Sequence, residues 1–188
     1  MSNIASDRIL ECKQLLKDTS LFCELSDSQL EQVVTLLEES RVAPGELIIR
    51  EGQPGSRLHV VKEGRVRVEK ILGDDPVRLA DLYAGAMLGE MTLIEPAPTS
   101  ASVVAVDPTI LLSVSREDFI SLLDRDSAMA AKLYQGLCRI LVEKMRKNNE
   151  RIKEYFLINR ALIDNEEFRR LYTSYHKPAG GVGADADA

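Results

Sequence analysis

The chain is poor in the side chains that hold metals or staple small folds. It has three cysteines, Cys12, Cys23 and Cys138, far apart and never in a CxxC pair, and two isolated histidines, His59 and His176. That weighs against a zinc site, a four-cysteine iron–sulfur cluster or a disulfide framework. The thiols are expected to be reduced and structural. No apolar run approaches the roughly 20 residues that span a bilayer. Residues 1–10 contain no apolar stretch of the kind that marks a secretory signal. The expectation is a cytoplasmic protein with no membrane contact. GxSxG, HExxH and Walker A patterns are absent, and no nucleophile stands at readable spacing from a base. The chain is therefore not expected to be an enzyme, and no metal or cofactor is expected. A net charge of −6, from 24 basic and 30 acidic residues, argues against whole-surface binding of nucleic acid.

What is present suits a soluble globular fold. Hydrophobic residues make up 45% of the 188 and charged residues 29%. The length fits one domain of about 150 residues plus an appendage, enough for a self-sufficient core. Ile9, Leu10, Lys13, Leu16 and Lys17 give a short amphipathic helix. Ser26, with Gln29 three residues on, marks a helix start. Leu30, Val33, Val34 and Leu37 continue it at helical spacing.

From Pro44 the period changes. Turn signals at Pro44-Gly45, Gly52, Gly64, Gly73-Asp74-Asp75, Gly85, Glu95-Pro96 and Asp107-Pro108 punctuate short β-rich segments. These are Leu47–Arg50, Leu58–Lys62, Arg65–Lys70, Val77–Tyr83, Ala101–Val106 and Thr109–Val114. Val66 and Val68 alternate with Arg65, Arg67 and Glu69, so that strand has a buried and a wet face. About eight short strands fit a small jelly roll. Helical spacing returns at Ser115, a helix cap with Asp118 three residues on. A second helix follows from about 128 to 163, with Gly136 a tolerable interruption. Leu141, Met145, Asn148, Ile152, Tyr155, Asn159 and Leu162 follow a 4-3 spacing, a coiled-coil-like seam with two polar positions that set register. Lys132 to Arg160 carries eight basic and three acidic residues, net +5, which leaves the rest of the chain at −11. This is either a basic helix beside an acidic domain, its own or a neighbour's, or a contact strip for an acidic partner or nucleic acid.

The stretch that carries chemistry is 88–102. A glycine, Gly89, precedes a short helical segment inside a β region. Such a start presents backbone N–H groups and suits an anion. Glu90, in its first turn, can accept hydrogen bonds from vicinal hydroxyls. Thr99, Ser100 and Ser102 add hydroxyls beyond it. The pattern suggests a pocket for a phosphate and a sugar.

These pieces resemble the cyclic nucleotide-binding domain family of catabolite activators, protein kinase A regulatory subunits and nucleotide-gated channels. The likeness runs from about Leu15 to Ile163. It rests on Leu21-Phe22 with Leu25-Ser26, on Pro44-Gly45-Glu46-Leu47-Ile48-Ile49-Arg50-Glu51-Gly52, on Val60 to Val68, and on the 88–102 cassette. The resemblance implies a β-roll with helices at both ends. It implies that Gly89 and the Met91 and Thr92 backbone hold the cyclic phosphate and that Glu90 binds the ribose 2′-hydroxyl. One departure stands out. The family places an arginine nine residues after that glutamate, where its fork pairs with the phosphate; here the residue is Thr99. Losing a hydrogen bond to a charged group weakens binding by roughly 10- to 150-fold. Arg78 is the candidate substitute. Related regulators without the arginine sense haem, an iron–sulfur cluster or an organic effector. His59, between Leu58 and Val60, reads as a surface strand residue and not as a haem ligand.

The expected fold is α+β: a double-stranded β-helix (jelly roll) of about eight strands, flanked by N-terminal helices and a long C-terminal helix. The expected organisation is one cyclic nucleotide-binding-like domain over 1–163, with a helical N-terminus (4–40), a β-roll (42–114) and C-terminal helices (115–163). An extension over 164–188 follows, disordered from about 176. The winged helix-turn-helix of the transcription-factor branch is not seen, so a stand-alone regulator without direct DNA binding is expected. Its pocket would comprise Gly89, Glu90, Met91, Thr92, Thr99, Ser100 and Ser102. The effector would be cAMP, cGMP or another small anion, signalling by movement of the C-terminal helices. The alternative is a ligand-free scaffold or dimerisation module whose pocket has lost cyclic-nucleotide binding. A homodimer through 128–163 and an unidentified protein partner complete the expectation.

Overall fold

The computed structural model describes residues 2–73, 75–95 and 97–175, with side chains for 7–71, 73, 75–95 and 97–170. The chain divides into two units, Met1–Ile140 and Leu141–Ala188.

The first unit opens with two helices, α1 (Ser2–Lys17) and α2 (Asp27–Thr35). Ser26 caps α2 in a full capping box: its hydroxyl accepts from the Gln29 N–H, and the Gln29 side chain accepts from the Ser26 N–H. The buried face of α1 is Cys12 and Leu16, whereas Ile9 and Leu10 point to solvent. Eight strands follow, interrupted by one short helix. They are β1 (Glu38–Val42), β2 (Leu47–Ile49), β3 (Arg57–Glu63), β4 (Arg65–Leu72), β5 (Asp75–Tyr83), β6 (Met87–Leu88), β7 (Ser102–Ala105) and β8 (Thr109–Ser115). The short helix is α3 (Glu90–Ile94). The strands form two four-stranded antiparallel sheets, ordered β1-β8-β3-β6 and β2-β7-β4-β5. This is the expected jelly roll. Strand β1 lies where the sequence reads as helical to residue 40; its residues pair along their length with β8, and that pairing overrides a weak local preference.

Successive side chains of a strand face opposite ways, and in the first sheet β3 and β8 carry buried residues on both faces. Val61 and Leu111 are paired in register and face the roll interior with Val66, Leu88 and Val103. Their neighbours Leu58, Val60, Leu112 and Val114 face the helices instead. There they meet Leu16, Phe22, Leu30, Phe119, Leu133 and Leu137. Burying each such side chain contributes about 1.5–3 kcal/mol.

Helix α4 (Arg116–Arg125) is capped by Ser115, whose hydroxyl accepts from the Asp118 N–H at 3.0 Å. Helix α5 (Ser127–Asp164) starts at Asp126, whose carboxylate accepts from the Met129 N–H at 2.9 Å. Its buried residues are Met129, Leu133, Gly136, Leu137 and Ile140. Gly136 is a requirement more than a tolerated break: a Cβ there would lie 2.6 Å from the Leu21 carbonyl oxygen. A polar junction joins α2 to the start of α5. The Gln29 amide donates to Asp126 (3.1 Å) and accepts from Lys132 (3.0 Å).

In the second unit, α5 continues to Asp164 and α6 (Glu166–Tyr175) follows. The sequence reading did not anticipate α6. Asn165 separates the two helices, and its side chain accepts from the Glu167 and Phe168 N–H groups at 2.9 and 3.2 Å. The expected seam positions Met145, Ile152, Tyr155 and Leu162 are all exposed, at 65%, 54%, 67% and 39%. The disorder expected from about 176 lies outside the described residues.

Candidate functional site

Strand β6 pairs with β3, His59 opposite Leu88 and Val60 opposite Met87. This sets Gly89 beside the Arg57 carbonyl, 2.4 Å from where a Cβ would sit. Gly89 has φ 77°, a left-handed conformation that glycine adopts without penalty. The turn opens α3, five residues long, with the Thr92 N–H donating to the Gly89 carbonyl at 3.1 Å. The earlier amides of such a turn have no acceptor within the helix, and Gly89 brings no side chain to cap them. Glu90 and Thr92 are each only 4% exposed, whereas Met91 is 55% exposed. A carboxylate and a hydroxyl are thus both buried in the first turn of α3, the Thr92 hydroxyl against Gly55.

The second half of the predicted set lies on the segment that leads into β7 and on its first residue, Ser102, stitched to the loop after β2. The Thr99 hydroxyl donates to the Arg50 carbonyl at 2.5 Å. The Thr99 N–H donates to the Gln53 carbonyl, and its own carbonyl accepts from the Gly52 N–H, both at 2.9 Å. Ser102 is buried, and its hydroxyl accepts from the Glu51 N–H at 3.0 Å. Ser100 is exposed; its carbonyl, not its hydroxyl, has a neighbour, the Lys70 ammonium at 3.4 Å. Thr99 and Ser102 therefore fasten loop 50–53 as well as offering hydroxyls.

Three residues in this region were not singled out from the sequence. Arg116, the first residue of α4, donates from Nε to the Thr92 carbonyl at 2.9 Å, while its N–H donates to the Ser56 carbonyl at 2.8 Å. It links α3 to the C-terminal helices, and sequence alone presents it only as part of a helix start. Glu51 accepts from the Ile71 N–H at 3.3 Å and faces Lys70 at 3.4 Å. Lys70 reads in sequence as one more charge on an alternating strand. Arg78, the candidate substitute for the missing arginine, is 62% exposed and held by Asp81 at 2.8 Å. His59 is half-buried, not on the surface, with Nδ1 2.7 Å from the Ser113 hydroxyl across the β3–β8 pairing. Burial, aided by the Arg57 charge, pulls its pKa down from 6.5 to about 4.

Residues 39–126 match the family model described as the cyclic nucleotide-binding domain. The chain carries a cyclic nucleotide-binding domain. It is 33% identical over 129 residues to the cyclic AMP receptor protein of Thermus thermophilus, covering 68% of this chain and 60% of that protein. The fold superposes on a cyclic nucleotide-binding domain from Methylobacillus flagellatus with a TM-score of 0.71 and 27% identity, over 80% of this chain and 85% of that one. It also matches the regulatory subunit of a cAMP-independent protein kinase A from Trypanosoma brucei, with a TM-score of 0.62, 21% identity, and 82% and 53% coverage. That last likeness concerns the fold alone. The chain spans between 29% and 60% of the length of the first curated relatives that it matches. No described helix is long and apolar enough to cross a membrane.

Proposed function

We propose that the cyclic nucleotide-binding domain works as a small-molecule-responsive regulatory module, without catalysis of its own, whose pocket lies at the Gly89–Glu90 turn. The observation that carries this reading is Glu90: a carboxylate 4% exposed in the first turn of α3, beside a left-handed glycine. A carboxylate held in that place suits the vicinal hydroxyls of a ribose. The amides that open α3 suit a phosphodiester. Thr92, Thr99, Ser100 and Ser102 complete the polar lining. The effector is a cyclic nucleotide, cAMP or cGMP, bound more weakly than by relatives that have the arginine. Arg116 supports the signalling part of the reading, since its hydrogen bond to Thr92 passes any shift of α3 directly to α4. An effector acts by binding one arrangement of these helices better than another. The regulator is cytoplasmic and forms a homodimer through 128–163 that presents a surface to a protein partner.

A second reading is a ligand-free scaffold. It is supported by Thr99, whose hydroxyl is already bonded to Arg50, and by the exposed apolar residues Met145, Ile152 and Tyr155. Thermal unfolding separates the two. Cyclic AMP or cGMP at millimolar concentration should raise the midpoint of the wild type and not of Glu90→Gln, because a ligand of the folded state stabilises it. A midpoint insensitive to cAMP, cGMP and cyclic dinucleotides leaves the scaffold reading. Equilibrium sedimentation of Ile152→Asp then tests the seam: a dimer that this change does not weaken is not formed there.

A further inference from the structure

We propose that Lys70 supplies the counter-charge to the cyclic phosphate that Thr99 cannot, and that it does so by exchanging Glu51 for the phosphate. The inference rests on the cyclic-nucleotide reading above. The residue at the arginine's place is neutral, and its hydroxyl is given to the Arg50 carbonyl. Arg78 is bound to Asp81, on the strand edge. Lys70 is placed differently. It lies two residues beyond Val68, which packs with Val66 against the roll interior, just past the register shift of the β4–β5 pairing at Val68/Glu69. Its Nζ stands 3.4 Å from the carbonyl of Ser100, the residue next to Thr99.

The charge of Lys70 is balanced by a partner that can let it go. Glu51 faces it at 3.4 Å, a long contact, and the Lys70 side chain is 42% exposed. Pairs of this kind are weak. Glu51 does not depend on Lys70 for its place. Its carboxylate also accepts from the Ile71 N–H, and its backbone N–H is fixed to Ser102. An ammonium on a flexible stem is a movable point charge. It can turn from a carboxylate to a phosphodiester without any backbone shift. A cyclic nucleotide bound at α3 with its phosphate toward Thr99 and Ser100 would meet this cation beside the position where relatives have the arginine. The ligand class is thus a cyclic nucleoside monophosphate held by a lysine point charge instead of a guanidinium fork.

Calorimetric titration of the full chain with cAMP and cGMP tests this, using wild type, Lys70→Met, Lys70→Gln, Glu51→Gln, Arg50→Gln and Thr99→Arg. Removal of a charge-assisted hydrogen bond at Lys70 should weaken binding about 10- to 150-fold in both Lys70 variants. Glu51→Gln removes the competing carboxylate and should tighten binding several-fold. Arg50→Gln should stay within about twofold of wild type. Adding Thr99→Arg to Lys70→Met should restore affinity. If wild type binds and both Lys70 variants bind equally well, the Lys70 assignment falls and the pocket stands. If only Thr99→Arg binds, the pocket is intact and Lys70 is not its counter-charge. If no variant binds, the cyclic-nucleotide reading itself fails.

Discussion

Gly89→Ala is the sharpest perturbation of the pocket, because it adds one methyl group and two separable costs. The first is conformational. Gly89 sits at φ 77°, where an L-residue pays about 1–2 kcal/mol. The second is steric. The new Cβ would lie 2.4 Å from the Arg57 carbonyl oxygen, a backbone atom that cannot swing away. Overpacking of this kind costs about 1–3 kcal/mol more. Gly45→Ala is the internal control: it has the same sign of φ, 83°, with nothing within 4 Å of the new atom. Gly45→Ala should therefore lose about 1–2 kcal/mol, and Gly89→Ala about 2–5 kcal/mol. For a chain of this size, each kcal/mol lowers the midpoint by about 2–4 °C, so Gly89→Ala should melt about 4–20 °C below wild type. Paired thermal and urea unfolding measure the difference. Binding gives a second readout: Gly89→Ala should weaken cAMP binding more than about tenfold (over 1.4 kcal/mol), and Gly45→Ala should not. Equal stability losses in the two variants would refute the argument that the Arg57 carbonyl pins the turn.

Other expectations follow from the same contacts. Gly136→Ala, which in an exposed helix would gain up to about 1 kcal/mol, should instead cost about 1–3 kcal/mol, since its Cβ would meet the Leu21 carbonyl at 2.6 Å; unfolding midpoints settle the sign. His59 has a pKa near 4 in the fold against 6.5 unfolded, so the unfolded chain takes up its proton first as pH falls. Its stabilisation is complete above about pH 6.5 and lost towards pH 4, up to about 3 kcal/mol, and His59→Gln should remove that part of the pH dependence of the urea midpoint. Arg116→Ala removes the bond to Thr92 but keeps the backbone bond to Ser56. It should leave cAMP affinity within a few-fold and abolish the ligand's effect on amide exchange in α4.

Much of the roll was legible because its signals are local. Turn glycines, the alternation of Val66 and Val68 with arginines, and the Ser26 and Ser115 caps each act within a few residues. Strands β1 and β6 were not legible, since their pairing with β8 and β3 is made across the fold. The two-sided burial of Val60 and Val61 is likewise a property of packing, not of either residue. In the cassette, sequence singled out Gly89 and Glu90, and the structure gives their burial and geometry. It could not assign the hydroxyls: Thr99 and Ser102 turned out to bond loop 50–53. Nor could it find Arg116 or Lys70, because a charged side chain declares its partner only when the chain has folded. Helix α6 was missed because Asn165 is a cap whose effect depends on a helix already ending before it.

The most direct measurement of the central claim is amide hydrogen exchange of the whole chain with and without saturating cAMP. The account predicts protection concentrated in 88–102 and a change in α4, carried through the Arg116–Thr92 hydrogen bond. Protection confined to other segments, or no change at ligand concentrations that saturate Thr99→Arg, would contradict it.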